Sequence, residues 1–128
     1  MFNNVQLIGN LTANPELKYI GDSKIAKCEF SLAVNKSYKD KNGNKQKQVS
    51  FIQCEAWKRT AEILAEYVTT KRPIMVTGEL EQQRWKDKET GKNRSRLVVR
   101  VGRLVLLNER NVQSHEEAHL DMMGIETL

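Results

Sequence analysis

Between residues 27 and 35 the chain alternates with period two: Cys28, Phe30, Leu32 and Val34 interleave with Lys27, Glu29, Ser31, Ala33 and Asn35. A strand turns successive side chains to opposite faces, so this segment must sit in a sheet with one apolar and one polar face. The same period returns from about Gln48 to Trp57, where Ile52, Cys54 and Ala56 share one parity. Val5, Leu7 and Ile8 predict an earlier strand that ends at Gly9-Asn10. Ile74, Val76, Gly78 and Leu80 predict a fourth strand, and Leu97, Val99 and Val101 a fifth. Helical spacing stands out over Thr60 to Val68, with Ala61, Leu64, Ala65 and Val68 on one face.

Turn residues separate these runs. Asn14-Pro15 and Gly21-Asp22 punctuate the first connection, Asn42-Gly43 marks a hairpin, and Lys86 to Asn93 marks another. Lys71-Arg72-Pro73 stops the helix, with the bases at the electronegative end of its dipole. The predicted order is three strands, a helix and two strands, with two long charged hairpins. It predicts an all-β, five-stranded OB-fold barrel whose helix lies between the third and fourth strands. Closure of the barrel also removes the exposed edges that invite aggregation. The predicted domain covers residues 1–110, and a short acidic tail covers 111–128.

The second parity of the third strand is unusual. Phe51 and Trp57 share it with Val49, Gln53 and Glu55, and Trp85 likewise shares parity with Thr77, Glu79, Glu81 and Gln83. Rings on a polar face need a flat, apolar covering, and unstacked nucleobases supply one. Tyr38 has the parity of Phe30 and Leu32 but lies past Asn35 at the start of the charged hairpin, so it joins the candidate contacts.

Charge surrounds these rings. All 21 Lys and Arg stand at or before Arg110 with 12 of the 16 Asp and Glu, leaving +9 there and −4 in the segment beyond. Lys36, Lys39, Lys45 and Lys47 lie in the first hairpin, and Arg84, Lys86, Lys92, Arg94 and Arg96 in the second. Beside aromatic rings these cations predict a phosphate track, with weak sequence preference and strong salt sensitivity. Cys28 and Cys54 form no CxxC pair and hold apolar strand positions, which predicts buried free thiols in a reducing compartment. No leader pattern and no apolar run of about 20 residues is present, so a cytoplasmic protein without a membrane anchor is expected.

Several segments carry a family resemblance. Asn4-Val5-Gln6-Leu7-Ile8-Gly9-Asn10-Leu11 with Asn14-Pro15-Glu16-Leu17-Lys18-Tyr19 resembles the opening of bacterial single-stranded DNA-binding proteins. Phe30-Ser31-Leu32-Ala33-Val34-Asn35 is similar to their second strand, and Ala61-Glu62-Ile63-Leu64-Ala65-Glu66-Tyr67 to their helix. Gly78-Glu79-Leu80 and Arg84-Trp85-Lys86-Asp87 resemble their fourth strand and hairpin. The match spans about residues 1 to 107. It implies a homotetramer of OB-folds wrapped by single-stranded DNA in replication, recombination and repair. It also implies base stacking at Tyr38, Phe51, Trp57 and Trp85.

The chain departs from the family at several positions. Tyr38 and Phe51 stand where the family usually has Trp, and Ile52 where many members have a His that helps to set the tetramer. The tail lacks the family's aspartate-rich tip ending in Ile-Pro-Phe. Its acidic and apolar residues, Asp121, Ile125, Glu126 and Leu128, are candidates for docking replication and repair proteins.

One motif points elsewhere. His115-Glu116-Glu117-Ala118-His119 fits the zinc-peptidase pattern, in which two histidines one helical turn apart hold the metal and the Glu activates water. That chemistry needs a third ligand and an enclosing fold, and little chain follows the motif. The expectation is therefore a non-catalytic protein with no cofactor and no metal. An OB-fold RNA-binding or replication-restart module is the alternative.

Overall fold

The structure is a computed structural model, and it describes residues 1–107. It contains six strands and one helix: β1 (Val5–Leu11), β2 (Glu16–Ile20), β3 (Ile25–Lys39), β4 (Lys45–Trp57), α1 (Lys58–Tyr67), β5 (Ile74–Lys86) and β6 (Asn93–Leu106). The sheet order is β1-β5-β6-β4-β3-β2, and β1 also pairs with β3, which closes five strands into the expected OB-fold barrel. All pairings are antiparallel except β4 with β6, where Cys54 meets Val99 and Glu55 meets Arg100. The parallel seam matters most for function, because it joins the faces of the two long hairpins.

The extra strand is β2, which pairs with the start of β3 through a turn at Gly21 and Lys24, both at positive φ. Along β2 only Leu17 leaves the surface, so no period-two signal marks it. Counting β2, the helix follows the fourth strand rather than the third. It also begins earlier than its spacing implied. β4 runs straight into α1 by way of Lys58, which takes φ 56 and turns the chain without a side-chain cap. At the far end Arg72 does not serve the helix dipole. Its Nε donates to the Leu107 carbonyl at 3.2 Å, pinning the end of the described chain to the barrel.

Core residues come from the inner parity of each strand: Cys28, Phe30 and Leu32 on β3, Cys54 and Ala56 on β4, and Ile74 and Val76 on β5. Ala61 and Leu64 of α1 seal one end. Two glycines sit where strands cross too closely for a side chain. A Cβ on Gly9 would lie 2.3 Å from the Ala33 carbonyl oxygen, and one on Gly78 would lie 2.1 Å from that of Arg100. The register shift beside Gly78 gives β6 one extra residue, Gly102. That bulge moves the inward parity from Val99 and Val101 to Leu104 and Leu106.

Both long hairpins leave the barrel as two-stranded ribbons. Leu80 and Leu97 have the inward parity but are 43% and 61% exposed: Leu80 lies past the β1 pairing of β5, which ends at Gly78, and Leu97 past the β4 pairing of β6. Cys28 and Cys54 are buried and free, as their positions implied. Burial pushes the Cys28 thiol up to about 11, with help from the charge of Glu29, and the Cys54 thiol to about 12.

Candidate nucleic-acid interface

Register decides which predicted residues share a face. Odd-numbered residues of β3 lie opposite odd-numbered residues of β4: Lys27 faces Trp57, Glu29 faces Glu55, Ser31 faces Gln53 and Ala33 faces Phe51. On the other ribbon Trp85 faces Arg94, Gln83 faces Arg96, Glu81 faces Val98 and Glu79 faces Arg100. The parallel pair Glu55–Arg100 then joins the two sets into one outer face across β3, β4, β6 and β5.

The rings on this face differ in openness. Phe51 is 68% exposed and Trp85 48% exposed. Trp57 is half-buried, with Lys27 Nζ 5.0 Å and the Arg100 guanidinium 5.7 Å from its ring centre. Arg96 lies 5.9 Å from the ring centre of Trp85. Such cation–π contacts contribute about 0.5–1 kcal/mol each at exposed sites and keep the ring faces beside positive charge. Tyr38 does not join this face. It pairs with Gln46 on the other side of the β3–β4 ribbon, exposed there because the ribbon has left the barrel.

The cations divide in the same way. Lys39, Lys45 and Lys47 share the Phe51 side, and Arg94 and Arg96 share the Trp85 side. Lys36, Arg84 and Lys86 have the opposite parity, and Lys92 lies in the hairpin loop. Among the described residues Arg94 is bonded to Asp87 at 3.4 Å and Arg96 to Glu29 at 3.6 Å, whereas the other seven enter no ion pair.

The acids inside the hairpins are occupied by the turns. Asp40 Oδ1 accepts the backbone N–H groups of Asn42 and Asn44 at 2.9 Å, and Asp87 Oδ1 accepts that of Glu89 at 2.9 Å. These bonds hold both carboxyls below their ordinary range, with the Asn44 N–H the largest cause for Asp40 and the Glu89 N–H for Asp87. None of the hairpin lysines enters an ion pair among the described residues.

Between the ribbons lies a group of charges that the sequence reading did not assemble. Glu55 is 4% exposed, although it lies on the outer face. Its Oε1 accepts the Trp57 indole N–H at 2.8 Å, its Oε2 accepts the Gln83 amide at 3.0 Å, and Lys27 approaches to 3.7 Å. Lys27 also bonds Glu29 at 3.1 Å, and Arg100 reaches Glu81 at 3.8 Å. The Glu29 carboxyl is held below its usual range, first by the Lys27 hydrogen bond and then, against burial, by the charges of Lys27, Arg96 and Lys18. Parity put Glu55 on this face, but Lys27, Glu29 and Arg100 join it only through cross-strand register. A cavity of about 320 Å3 beside Ser31 and Gln53 extends the face toward Thr12 and Asn14.

Known proteins share this architecture. The sequence pattern of the "Single-strand binding protein family" matches residues 2–107. The chain belongs to that family. Among its members the chain is 36% identical over 108 residues to "Single-stranded DNA-binding protein 1" of Nostoc sp., covering 84% of this chain and 85% of that one. It is 32% identical over 121 residues to the Helicobacter pylori "Single-stranded DNA-binding protein", covering 94% and 66%. A deletion variant of the single-stranded DNA binding protein from Thermus aquaticus superposes with a TM-score of 0.73 at 28% identity, over 85% of this chain and 52% of that one. The structure described as "Plasmodium falciparum SSB complex with ssDNA" superposes at 0.76 over 84% and 97%; its 18% identity makes it evidence of fold alone. Among the described residues no helix is long and apolar enough to cross a membrane, and no cluster of ligand side chains could hold a metal. The His115–His119 motif and the tail candidates Asp121, Ile125, Glu126 and Leu128 lie outside the described residues.

Proposed function

We propose that this chain binds single-stranded DNA with little sequence preference, bases stacked on the outer face and phosphates along the two ribbons. The observation that carries the reading is the continuous face on which Phe51, Trp57 and Trp85 lie between two cation-rich hairpins. A base stacked on an aromatic ring contributes about 1–3 kcal/mol whatever its identity, so such a face tolerates any sequence. Phe51, Trp57 and Trp85 are the stacking rings. Tyr38 meets the strand where it turns over the edge of the β3–β4 ribbon. Lys39, Lys45, Lys47, Arg94 and Arg96 take phosphates on the near side of the ribbons, and Lys36, Arg84, Lys86 and Lys92 take them where the strand passes to the far side.

The family relationship supports action by binding alone, as a homotetramer that protects single strands during replication, recombination and repair in the cytoplasm, with the 111–128 segment docking partner proteins. Competition for a labelled oligo(dT) by unlabelled single-stranded DNA, RNA and duplex of equal length tests the ligand class. Single-stranded DNA is expected to compete best, and RNA competing better would favour the alternative module. Trp57→Ala and Trp85→Ala test the stacking role: each is expected to weaken oligo(dT) binding at least about five-fold.

A further inference from the structure

Glu55 is a carboxylate buried on a face otherwise built to meet a polyanion. A buried charge is costly unless it is paired, and apolar replacements of buried ion pairs are often neutral or stabilising. Its burial is therefore weak evidence of a stabilising role, and its hydrogen bonds indicate another. Glu55 Oε1 accepts from Trp57, Oε2 accepts from the Gln83 amide nitrogen, and the Gln83 amide oxygen accepts from Arg96 Nε at 3.0 Å. Arg96 in turn lies over the ring of Trp85. The two tryptophans, the only two in the chain, are thus the ends of one connected path.

The polarity of that path is forced. A carboxylate can only accept and a guanidinium can only donate, so the Gln83 amide between them has a single workable orientation. We propose that Glu55 is a positioning residue, fixing the orientation of Trp57 directly and that of Trp85 through Gln83 and Arg96. It presets the spacing of the two rings before a strand arrives. The proposal rests on the stacking role given to both rings above.

Glu55→Gln breaks the path at one link whichever way it turns. An amide at position 55 can still accept from the Trp57 indole with its oxygen, but its nitrogen then faces the Gln83 nitrogen. If Gln83 flips to accept, it presents its own nitrogen to Arg96. With the amide turned the other way its oxygen accepts from Gln83 and its nitrogen faces the Trp57 N–H, so Glu55→Gln keeps one of the two links and loses the other, whereas Glu55→Leu loses both.

The two indole N–H resonances of 15N-labelled full-length protein, each assigned with a Trp→Phe variant, read the two links separately. In Glu55→Leu both resonances are expected to shift, and the Trp57 N–H to exchange faster. In Gln83→Leu only the Trp85 resonance is expected to move, and in Glu55→Gln only one of the two. Oligo(dT) affinity should fall about ten-fold in Glu55→Leu and about three-fold in the other two; the melting temperature stays near that of the parent in Glu55→Gln and falls in Glu55→Leu, which leaves Lys27 and two N–H donors without their acceptor.

A role in folding alone would lower the melting temperature and leave the indole signals of the folded protein in place, which overturns the proposal. So does a Glu55→Leu affinity within two-fold of the parent while Trp57→Ala and Trp85→Ala each weaken binding strongly. If both Trp→Ala variants bind as the parent does, the stacking reading itself falls. Should Glu55→Leu not fold, Glu55→Gln and Gln83→Leu carry the same test.

Discussion

Replacing Lys45 and Lys47 together by Gln removes two cations that share the Phe51 side of the β3–β4 ribbon and enter no ion pair among the described residues. The nearby acid, Asp40, bonds the backbone of its own turn and forms no ion pair with either lysine. Each therefore contributes its full share of released counterions when it meets a phosphate. For single strands the logarithm of affinity falls by about 0.7 per neutralised phosphate for each tenfold rise in salt, so two lost contacts should flatten the slope by about 1.4. Across a four-fold rise in salt, the deficit of the variant should narrow by about seven-fold, the value of four raised to the power 1.4. Titration with oligo(dT), followed by tryptophan fluorescence at several salt concentrations, measures both slopes. Arg59→Gln with Lys71→Gln is the charge-matched control at the helix end of the barrel. Parallel salt lines for Lys45→Gln/Lys47→Gln and the parent would refute direct phosphate contact. Equal flattening in the control would mean that net charge, not the ribbon, sets the slope.

Three further outcomes follow from the fold. Gly78→Ala forces a Cβ against the Arg100 carbonyl and should cost about 3 kcal/mol in chemical denaturation, whereas Gly102→Ala, with its nearest neighbour at 3.6 Å, should stay within about 1 kcal/mol. Lys58→Gly relieves a left-handed backbone at φ 56 and should stabilise by about 0.5–1 kcal/mol, once the entropy of the new glycine in the unfolded chain is deducted. The thiols of Cys28 and Cys54 titrate higher in the folded chain, about 11 and about 12, than the ordinary 9.0, so the unfolded chain loses these protons first. Their stabilising contribution is complete below about pH 9 and is lost as pH rises toward the folded values. Urea midpoints at about pH 8 and about pH 10 should show that fall, and a smaller one in Cys28→Ala/Cys54→Ala.

The parts of the fold legible in the sequence are those where one face of a strand meets the core along its whole length. β3 between Lys27 and Asn35 is the clearest case, since every second residue there is apolar. No period-two signal marks β2, where Leu17 alone turns inward, and none carries β6 past Val101, because the Gly102 bulge reverses its phase. Leu80 and Leu97 have the inward parity yet stay exposed, since period two reports the side of a strand and not whether a neighbouring strand still covers it. The site divided in the same way. Phe51, Trp57 and Trp85 followed from parity within single strands, but their shared face depends on the parallel seam between β4 and β6. Residues 45 apart in the chain meet there, and no local pattern encodes that register. Tyr38 shows the converse case: its parity sets it on the other side of the ribbon from the rings with which family position groups it.

The charge arrangement also bears on which way round a strand lies. Four carboxylates, Glu29, Glu55, Glu79 and Glu81, lie in the middle of the face, and Lys27, Arg96 and Arg100 pair with all of them but Glu79. The middle is therefore close to neutral, while cations without a partner among the described residues collect on the ribbons. On the proposed reading a strand gains nothing by laying phosphates over the middle, where each would have to displace a carboxylate from its cation. It gains by laying them on the ribbons, and then only its bases can reach the rings. A duplex cannot make that turn, because its bases are already paired and its phosphates face outward all round. The glutamates thus sharpen selection for unpaired strands: they withhold the cations of the middle from any ligand that offers only its backbone.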